Sequence, residues 1–175
     1  LANRINFRNH RKTVVIDDTI GYIGGMNIAS RYLRGQSPSR TWRDTHIRVE
    51  GEAVAALLYQ FSVDWNFLKE DHHIVPLNPV PPLSPGVRRI PAQLITSGPT
   101  DRWASIALLY QRAILGAHRS IYIQTPYFLP TDALLKALQT AALAHVDVRI
   151  MIPLRSDSNL LRYASFSYIS ECLEA

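Results

Sequence analysis

Apolar and polar positions in the first half of the chain predict a β-hairpin followed by a strand and a helix. Residues 13–16 are Thr-Val-Val-Ile, Asp-Asp-Thr follows as a turn, and residues 20–24 have the pattern of a returning strand. Residues 45–49 alternate as a further strand, and residues 52–67 have helical apolar spacing. The apolar positions of that helix are Val54, Leu57, Leu58, Phe61 and Trp65.

The second half of the chain alternates between strand and helix patterns beyond a proline-rich stretch. Six of the eleven prolines lie between positions 76 and 91, which excludes a helix there and predicts a linker over 76–92. The elements expected after it are strand 93–96, helix 103–115, strand 120–124, helix 132–143, strand 147–152 and a last helix within 156–175. Thr131 or Asp132 can cap the helix that starts there. This alternation predicts an α/β sandwich whose crossover helices cover the sheet.

Composition narrows the class of protein and of partner. Apolar residues make up 47% of the chain and charged residues 19%, which is typical of a globular protein with a core. The net charge of +5 favours anionic partners such as nucleic acid, phospholipid head groups or phosphorylated metabolites. Cys172 cannot form an intramolecular disulfide, and we interpret it as an inert core residue. No apolar run reaches the length of a membrane span, so we expect a soluble segment of a longer protein.

The densest group of chemically active residues begins with His10 and Lys12, which lie two positions apart. Side chains two apart on an extended strand point to the same side, so both can reach one ligand. A neutral imidazole is a competent nucleophile toward phosphorus, and a lysine ammonium can hold a phosphate oxygen as negative charge develops. The pair can therefore perform phosphodiester chemistry without a metal or another cofactor. The alternative for an isolated pair of this kind is a solvated basic surface run.

Three more residues complete the predicted site. Asp17 lies at an odd offset from His10 and Lys12, so within this catalytic set we expect it to brace the hairpin more than to touch phosphate. Residues 26–30 can open a short helix, whose first free amides would join Gly25 and Asn27 in a phosphate-binding cradle.

These residues occur at a spacing that resembles a known family. His-x-Lys-x4-Asp-x6-Gly-Gly-x-Asn is the signature of the phospholipase D superfamily, and residues 6–12 closely resemble its bacterial cardiolipin synthase branch. Residues 42–51 resemble the same branch, as do residues 124–130 together with residues 146–153. The resemblance covers nearly the whole chain and is weakest in the proline-rich linker.

The resemblance implies a phospholipase D-like sandwich of mixed β-sheet flanked by helices, represented here by parts of two lobes. Residues 1–75 would be the later part of the first lobe with the catalytic motif, 76–92 the linker, and 93–175 the early part of the second lobe. Family members are expected to pair two His-x-Lys motifs in one site, whereas only His10 here has a lysine two residues later. We therefore expect this chain alone to have little or no transferase activity.

The resemblance also implies a reaction, a substrate and a location. The reaction is condensation of two phosphatidylglycerol molecules to cardiolipin and glycerol through a phosphatidyl-histidine intermediate, with no cofactor and no metal. Partners would be anionic phospholipid and a membrane surface, not nucleic acid, and the full-length protein would be at the bacterial plasma membrane. The motif alone leaves open a hydrolase of phospholipid or nucleic acid, and a non-catalytic anion-binding module.

Other polar and aromatic residues have competing interpretations. Trp42, Asp44 and His46 are expected to pack under the site at the start of a strand, although Asp44 could also orient an imidazole. Tyr127 and Phe128 either line an acyl or head-group channel or belong to the core.

Histidines outside the motif are interpreted as structural. His72 and His73, adjacent on an acidic polar stretch, are expected to form a loop and not a metal site, because neighbouring side chains diverge and no spaced third ligand follows. His118 and His145 are expected at helix ends.

Overall fold

The computed structural model describes residues 9–32, 44–68, 82–98, 101–154 and 158–175. The chain divides into two compact units, Leu1–Leu94 (unit 1) and Ile95–Ala175 (unit 2). Each unit combines a small β-sheet with helices, so the mixed α/β class predicted from the sequence is confirmed.

Unit 1 contains a three-stranded antiparallel sheet and one long helix. Strands β1 (Lys12–Ile16), β2 (Ile20–Gly24) and β3 (His46–Glu50) lie in that order in the sheet. Helix α1 (Glu52–Leu68) follows β3 directly. The predicted hairpin, strand and helix are all confirmed, with boundaries that differ by at most one residue.

The hairpin turn depends on two aspartates with left-handed backbone. Asp17 and Asp18 have φ angles of 49° and 55°, and the Thr19 amide donates to the Ile16 carbonyl over 3.0 Å. Positive φ at both central residues suits the right-handed twist of a hairpin, and aspartate tolerates this conformation better than most residues. Asp17 thus lies in the turn, one residue beyond β1.

Helix α1 packs on one face of this sheet through a close approach at Gly21. A Cβ added there would lie 2.8 Å from Leu57 Cδ1 and 3.1 Å from a methyl group of Val49. Val54 and Leu57 are the most deeply buried residues of the helix. The missing side chain of Gly21 is therefore what allows α1 to lie close to the strands.

The buried stripe of α1 differs from the predicted one in its second half. Phe61 and Trp65 are each 44% exposed and stack on one another with ring centroids 5.8 Å apart. Ser62 is buried in their place, and its hydroxyl donates to the Leu58 carbonyl over 2.9 Å. The short sheet covers only part of the helix. The two large rings therefore pack against each other and stay partly exposed.

Two predicted elements, one after β2 and one after the linker, are wrong. The short helix expected over 26–30 is a single 3₁₀ turn, Ser30–Tyr32, so it starts later and presents no extended helix terminus. The expected strand 93–96 is absent, because residues 82–98 contain neither helix nor strand. An extended segment becomes a strand only when a neighbouring strand pairs with it along its length. Residues 76–81 of the predicted linker lie outside the described residues.

Unit 2 contains a parallel pair of strands covered by helices. Its elements are α2 (Ser105–Leu115), β4 (Ser120–Gln124), α3 (Asp132–Leu143) and β5 (Asp147–Met151), with β4 and β5 in parallel register. Each was predicted, and β4 and α3 have the predicted bounds. Their shared core consists of Ile114, Phe128, Ala137, Leu138, Ala141 and Val146.

A threonine side chain caps the start of α3. Thr131 accepts a hydrogen bond from the Leu134 amide over 3.4 Å, which confirms the predicted capping role. The predicted last helix is two helices, α4 (Asn159–Ser167) and α5 (Ile169–Leu173). Among the described helices, none has both the length and the apolar content to cross a membrane.

Candidate functional site

The sheet of unit 1 has one face against α1 and one face turned away from it. Lys12, Gly24 and His46 are paired across the three strands, so their side-chain positions belong to the same face. The row of Gly21, three positions from Gly24, faces α1. We call the opposite face the open face; it carries the side chains of Lys12, Tyr22, His46 and Arg48.

His10 and Lys12 are joined through the backbone. Lys12 Nζ donates to the His10 carbonyl oxygen over 2.6 Å, and the His10 side chain is exposed. An ammonium has three donors, so two remain for a phosphate oxygen after this bond is made. The lysine charge therefore lies beside the backbone of His10.

The segment before β1 is fixed on the α1 side by one carboxylate. Arg11 Nη1 donates to both oxygens of Asp64 over 2.9 and 3.0 Å, and Asn9 Nδ2 donates to Asp64 Oδ2 over 2.9 Å. Asp64 lies on α1, and the sequence interpretation missed it. No local pattern could have found it, since its partners are 53 and 55 residues away.

Gly24 and Gly25 allow the start of β3 to approach β2 closely. The Gly25 amide donates to the Thr45 carbonyl over 2.9 Å, and a Cβ added at Gly25 would overlap the Asp44 carboxylate. The Asp44 carboxylate accepts from the Thr45 amide over 2.9 Å. Asp44 thus lies against the glycine pair at the end of β2, next to the row that holds Lys12.

Asn27 is half-buried after the glycine pair, and its amide donates weakly to the Tyr32 hydroxyl over 3.5 Å. This contact links the loop after β2 to the 3₁₀ turn. The helix terminus expected to supply amides for a phosphate cradle is not formed, and Gly25 and Asn27 lie in the loop that follows β2.

Asp17 lies at the other end of β1 from His10 and Lys12. Four residues of β1 lie between it and Lys12, so five steps at the usual rise per residue separate the two by about 16 Å. The structure therefore brings together Lys12, the glycine pair and His46, and it places Asp17 in the hairpin turn.

The imidazole of His46 occupies the space that Gly24 leaves empty. A Cβ added at Gly24 would lie 2.6 Å from His46 Nδ1. This nitrogen is buried and has no hydrogen-bond partner among the residues that the structure describes. His46 therefore borders the open face next to Gly24, where the sequence had indicated a packing role.

Further along the open face, Arg48 forms an ion pair with Glu50. The Ser84 backbone amide donates to Glu50 over 2.7 Å, and this bond, with Arg48, lowers the pKa of the Glu50 carboxyl. Glu50 thus stays ionised and offsets the charge of Arg48.

Unit 2 contains a separate apolar cavity of about 590 Å³ beside β4. Phe128 lines it but is itself core, with its amide bonded to Ser165 Oγ over 3.1 Å and its ring edge-on to Tyr168. Tyr127 lines the same cavity and is 37% exposed. Of the two interpretations offered for this pair, the core interpretation holds for Phe128. Tyr127 is a partly exposed residue that lines the cavity.

The structure describes two of the remaining histidines, His118 and His145. Trp42, His72 and His73 lie outside the described residues, and within the described ones no cluster of three potential metal ligands occurs. His118 is exposed between α2 and β4, and His145 has a φ of 63° where α3 ends. Both lie at helix ends, as expected.

Comparison with known proteins places the two halves in one family. A family profile described as "Cardiolipin synthase, PLD-like domain" matches residues 110–175, in unit 2. A cardiolipin synthase of Geobacillus thermodenitrificans (strain NG80-2) is 43% identical over all 175 residues, which is 35% of its own length. The major cardiolipin synthase of Bacillus subtilis (strain 168) is 43% identical over 173 residues, 98% of this chain and 36% of that protein.

The chain belongs to the phospholipase D superfamily, in the bacterial cardiolipin synthase branch. The chain spans about a third of the length of the curated relatives it matches. The profile match lies wholly outside the His10 motif, so assignment of unit 2 to this superfamily does not depend on that motif.

Proposed function

We propose that the protein containing this chain is a phosphatidyltransferase that condenses two phosphatidylglycerol molecules to cardiolipin and glycerol. The observation that carries the proposal is the match to relatives named cardiolipin synthase, at 42 to 45% identity along 98 to 100% of the chain. That match spans the whole motif from His10 to Asn27. The exposed His10 and the adjacent Lys12 charge provide the chemistry such a reaction needs.

In the proposed first step, the neutral His10 imidazole attacks the phosphorus of one phosphatidylglycerol. A phosphorus–nitrogen bond forms, the phosphorus–oxygen bond to the head-group glycerol breaks, and the glycerol leaves with a proton from a second histidine. Lys12, with two donors still available, stabilises the negative charge on the phosphoryl oxygens.

In the second step, the terminal hydroxyl of another phosphatidylglycerol attacks the same phosphorus. The second histidine takes its proton, the phosphorus–nitrogen bond breaks, and His10 is regenerated as cardiolipin is released. Among the 175 residues only His10 is followed by a lysine at this spacing, so the second histidine belongs to another His-x-Lys pair.

Gly25, Asn27 and Asp17 have supporting roles in this proposal. Gly25 keeps the loop after β2 close to the start of β3, and Asn27 lies on that loop, bonded to the Tyr32 hydroxyl. Asp17 sets the turn that fixes β1 against β2. Because its substrates are membrane lipids, we place the full-length protein at the bacterial plasma membrane. Neither a metal nor nucleic acid enters the proposed reaction.

The test uses the full-length protein with vesicles of labelled phosphatidylglycerol and identifies the lipid product. Cardiolipin with one glycerol per turnover is the expected result. Phosphatidic acid would instead mean hydrolysis, and binding without turnover would mean an anion-binding module; either result contradicts the proposal.

Substitutions at two exposed histidines provide a test variant and its control. His10→Asn should lower turnover at least about 10³-fold, because it removes the nucleophile. His118→Asn, at an exposed histidine in unit 2, should leave turnover within about twofold of wild type.

A further inference from the structure

We propose that Asp64 is a positioning residue for His10 and Lys12, an inference that rests on the proposed function. Asp64 lies on α1, on the side of the sheet opposite the open face, and it does not touch the substrate in this proposal. Its carboxylate holds the segment of chain on which the nucleophile lies.

Three side chains converge on this carboxylate. Arg11 Nη1 donates to both oxygens, Asn9 Nδ2 donates to Oδ2 over 2.9 Å, and Gln60 Nε2 donates to Oδ1 over 3.1 Å. The Arg11 and Asp64 side chains are only 32% and 25% exposed, so the ion pair is partly shielded from water. Gln60 lies one turn before Asp64 on α1 and fixes the carboxylate from within the helix.

The residues that bond Asp64 lie on either side of His10 in the chain. Asn9 and Arg11 alternate with His10 and Lys12, and the Arg11 amide also donates to Asn9 Oδ1 over 2.9 Å. Lys12 opens β1 on the open face, and the residue before it, Arg11, is held on the α1 side. His10 lies between the two anchored residues, Asn9 and Arg11, so holding both restricts where its imidazole can go.

His10 depends on this anchor because it precedes the sheet. Strand β1 begins at Lys12, where pairing to β2 also begins, so ladder hydrogen bonds do not hold residues 9–11. The contacts of Asp64 and the bond from Lys12 Nζ to the His10 carbonyl hold this segment in place. Loss of the anchor would let the imidazole move by distances that matter to an in-line displacement.

The kinetic test uses the full-length protein and follows consumption of phosphatidylglycerol, whichever product forms. Asp64→Asn preserves shape and removes the charge, and it should lower kcat about 10- to 100-fold with KM within about threefold of wild type. Asp64→Glu restores the charge on a longer side chain and should recover part of the lost kcat. A kcat for Asp64→Asn within twofold of wild type would overturn the proposal.

Asp147→Asn is the matched control. Asp147 also accepts from an arginine, Arg149 Nε, and from a neutral donor, the Tyr122 hydroxyl, but it lies on β5 in unit 2. It should leave kcat and KM unchanged within twofold. A purely structural role for Asp64 would instead lower the melting temperature of Asp64→Asn without changing its kcat at permissive temperature.

Amide hydrogen exchange tests the anchor without reference to activity. A peptide covering residues 9–16 should exchange faster in Asp64→Asn than in wild type, and at the wild-type rate in Asp147→Asn. Unchanged exchange in Asp64→Asn would overturn the inference. If wild type forms phosphatidic acid or no product, the proposed function is wrong, whereas the exchange rates still decide whether Asp64 holds the segment.

Discussion

Lys12 and His46 lie at opposite ends of one cross-strand row, with Gly24 between them. Two inter-strand spacings separate their Cα atoms by about 9 to 10 Å. The missing side chain at Gly24 leaves the space that the His46 imidazole fills. This row therefore joins the predicted motif to a histidine that the sequence interpretation had assigned to packing.

Gly24→Ala should disrupt this row. An added Cβ would lie 2.6 Å from both the Cα and the Nδ1 of His46, so β3 must shift away from β2. We expect a loss of about 1 to 3 kcal/mol in the free energy of unfolding, typical of overpacking, measured by urea titration. Gly98→Ala is the control, since its nearest contact would be an ordinary 3.6 Å, and it should change stability by less than about 0.5 kcal/mol.

Lys12→Met should impair turnover in the full-length protein while leaving the fold intact. The variant retains the length of the side chain and removes the charge proposed to stabilise the phosphoryl oxygens, so we expect turnover to fall about 10²-fold or more. Lys136→Met removes a similar exposed charge on α3, where the ammonium bonds only Gln139 among described contacts, and should have no such effect. Equal turnover in the two variants would remove Lys12 from the proposed chemistry.

Leu57→Ala should strongly destabilise unit 1. Leu57 is 3% exposed and packs over Gly21, where the helix and sheet are closest. Truncation of such a side chain costs about 2 to 5 kcal/mol, because it leaves a cavity as well as losing apolar burial. Leu160→Ala, at a position 78% exposed on α4, should cost less than about 0.5 kcal/mol in the same unfolding experiment.

Asp147 should contribute to stability at neutral pH and lose that contribution in acid. Hydrogen bonds from Arg149 and then Tyr122 lower the pKa of the Asp147 carboxyl below its ordinary value. A carboxyl whose pKa is lower in the folded state stabilises the folded protein at pH values above its unfolded-state pKa. That stabilisation is lost as the pH falls through the folded-state pKa. Wild type should therefore be more stable than Asp147→Asn at pH 7, and the difference should shrink as pH approaches the folded-state pKa. A constant difference across this range would contradict the assignment.

Cys172 should react slowly with thiol reagents at neutral pH. Burial first, and then the charge of Glu171, raise the pKa of its thiol, so the thiolate fraction is reduced. The alkylation rate, followed by mass spectrometry, should rise at higher pH than for the same protein in urea. Glu171→Gln should move the profile only part of the way back, because burial is the larger cause.

Much of unit 2 was predictable because its signals are local. The alternation over β4, the helical spacing of α3 and the cap at Thr131 each act within a few residues, and the structure confirms all three. The family resemblance extended this to the superfamily, which the comparisons support.

The differences arise where distant parts of the chain decide the outcome. The expected strand 93–96 needed a pairing neighbour that no local pattern specifies, and Phe61 and Trp65 are half-exposed because the sheet beneath α1 is small. Asp64 had the same difficulty: its role depends on contacts more than fifty residues away, and an acidic residue on a helix is usually only a solvated one.

The alternation of Asn9 and Arg11 with His10 and Lys12 also fixes the length of this segment. Inserting a single residue between Arg11 and Lys12 would reverse which side each member of the segment faces relative to β1, since the period is two. Relative to β1, the arginine would then turn away from the helix and the imidazole toward it, although every residue type would still be present. We therefore expect this segment to tolerate a conservative substitution much better than a one-residue change in its length.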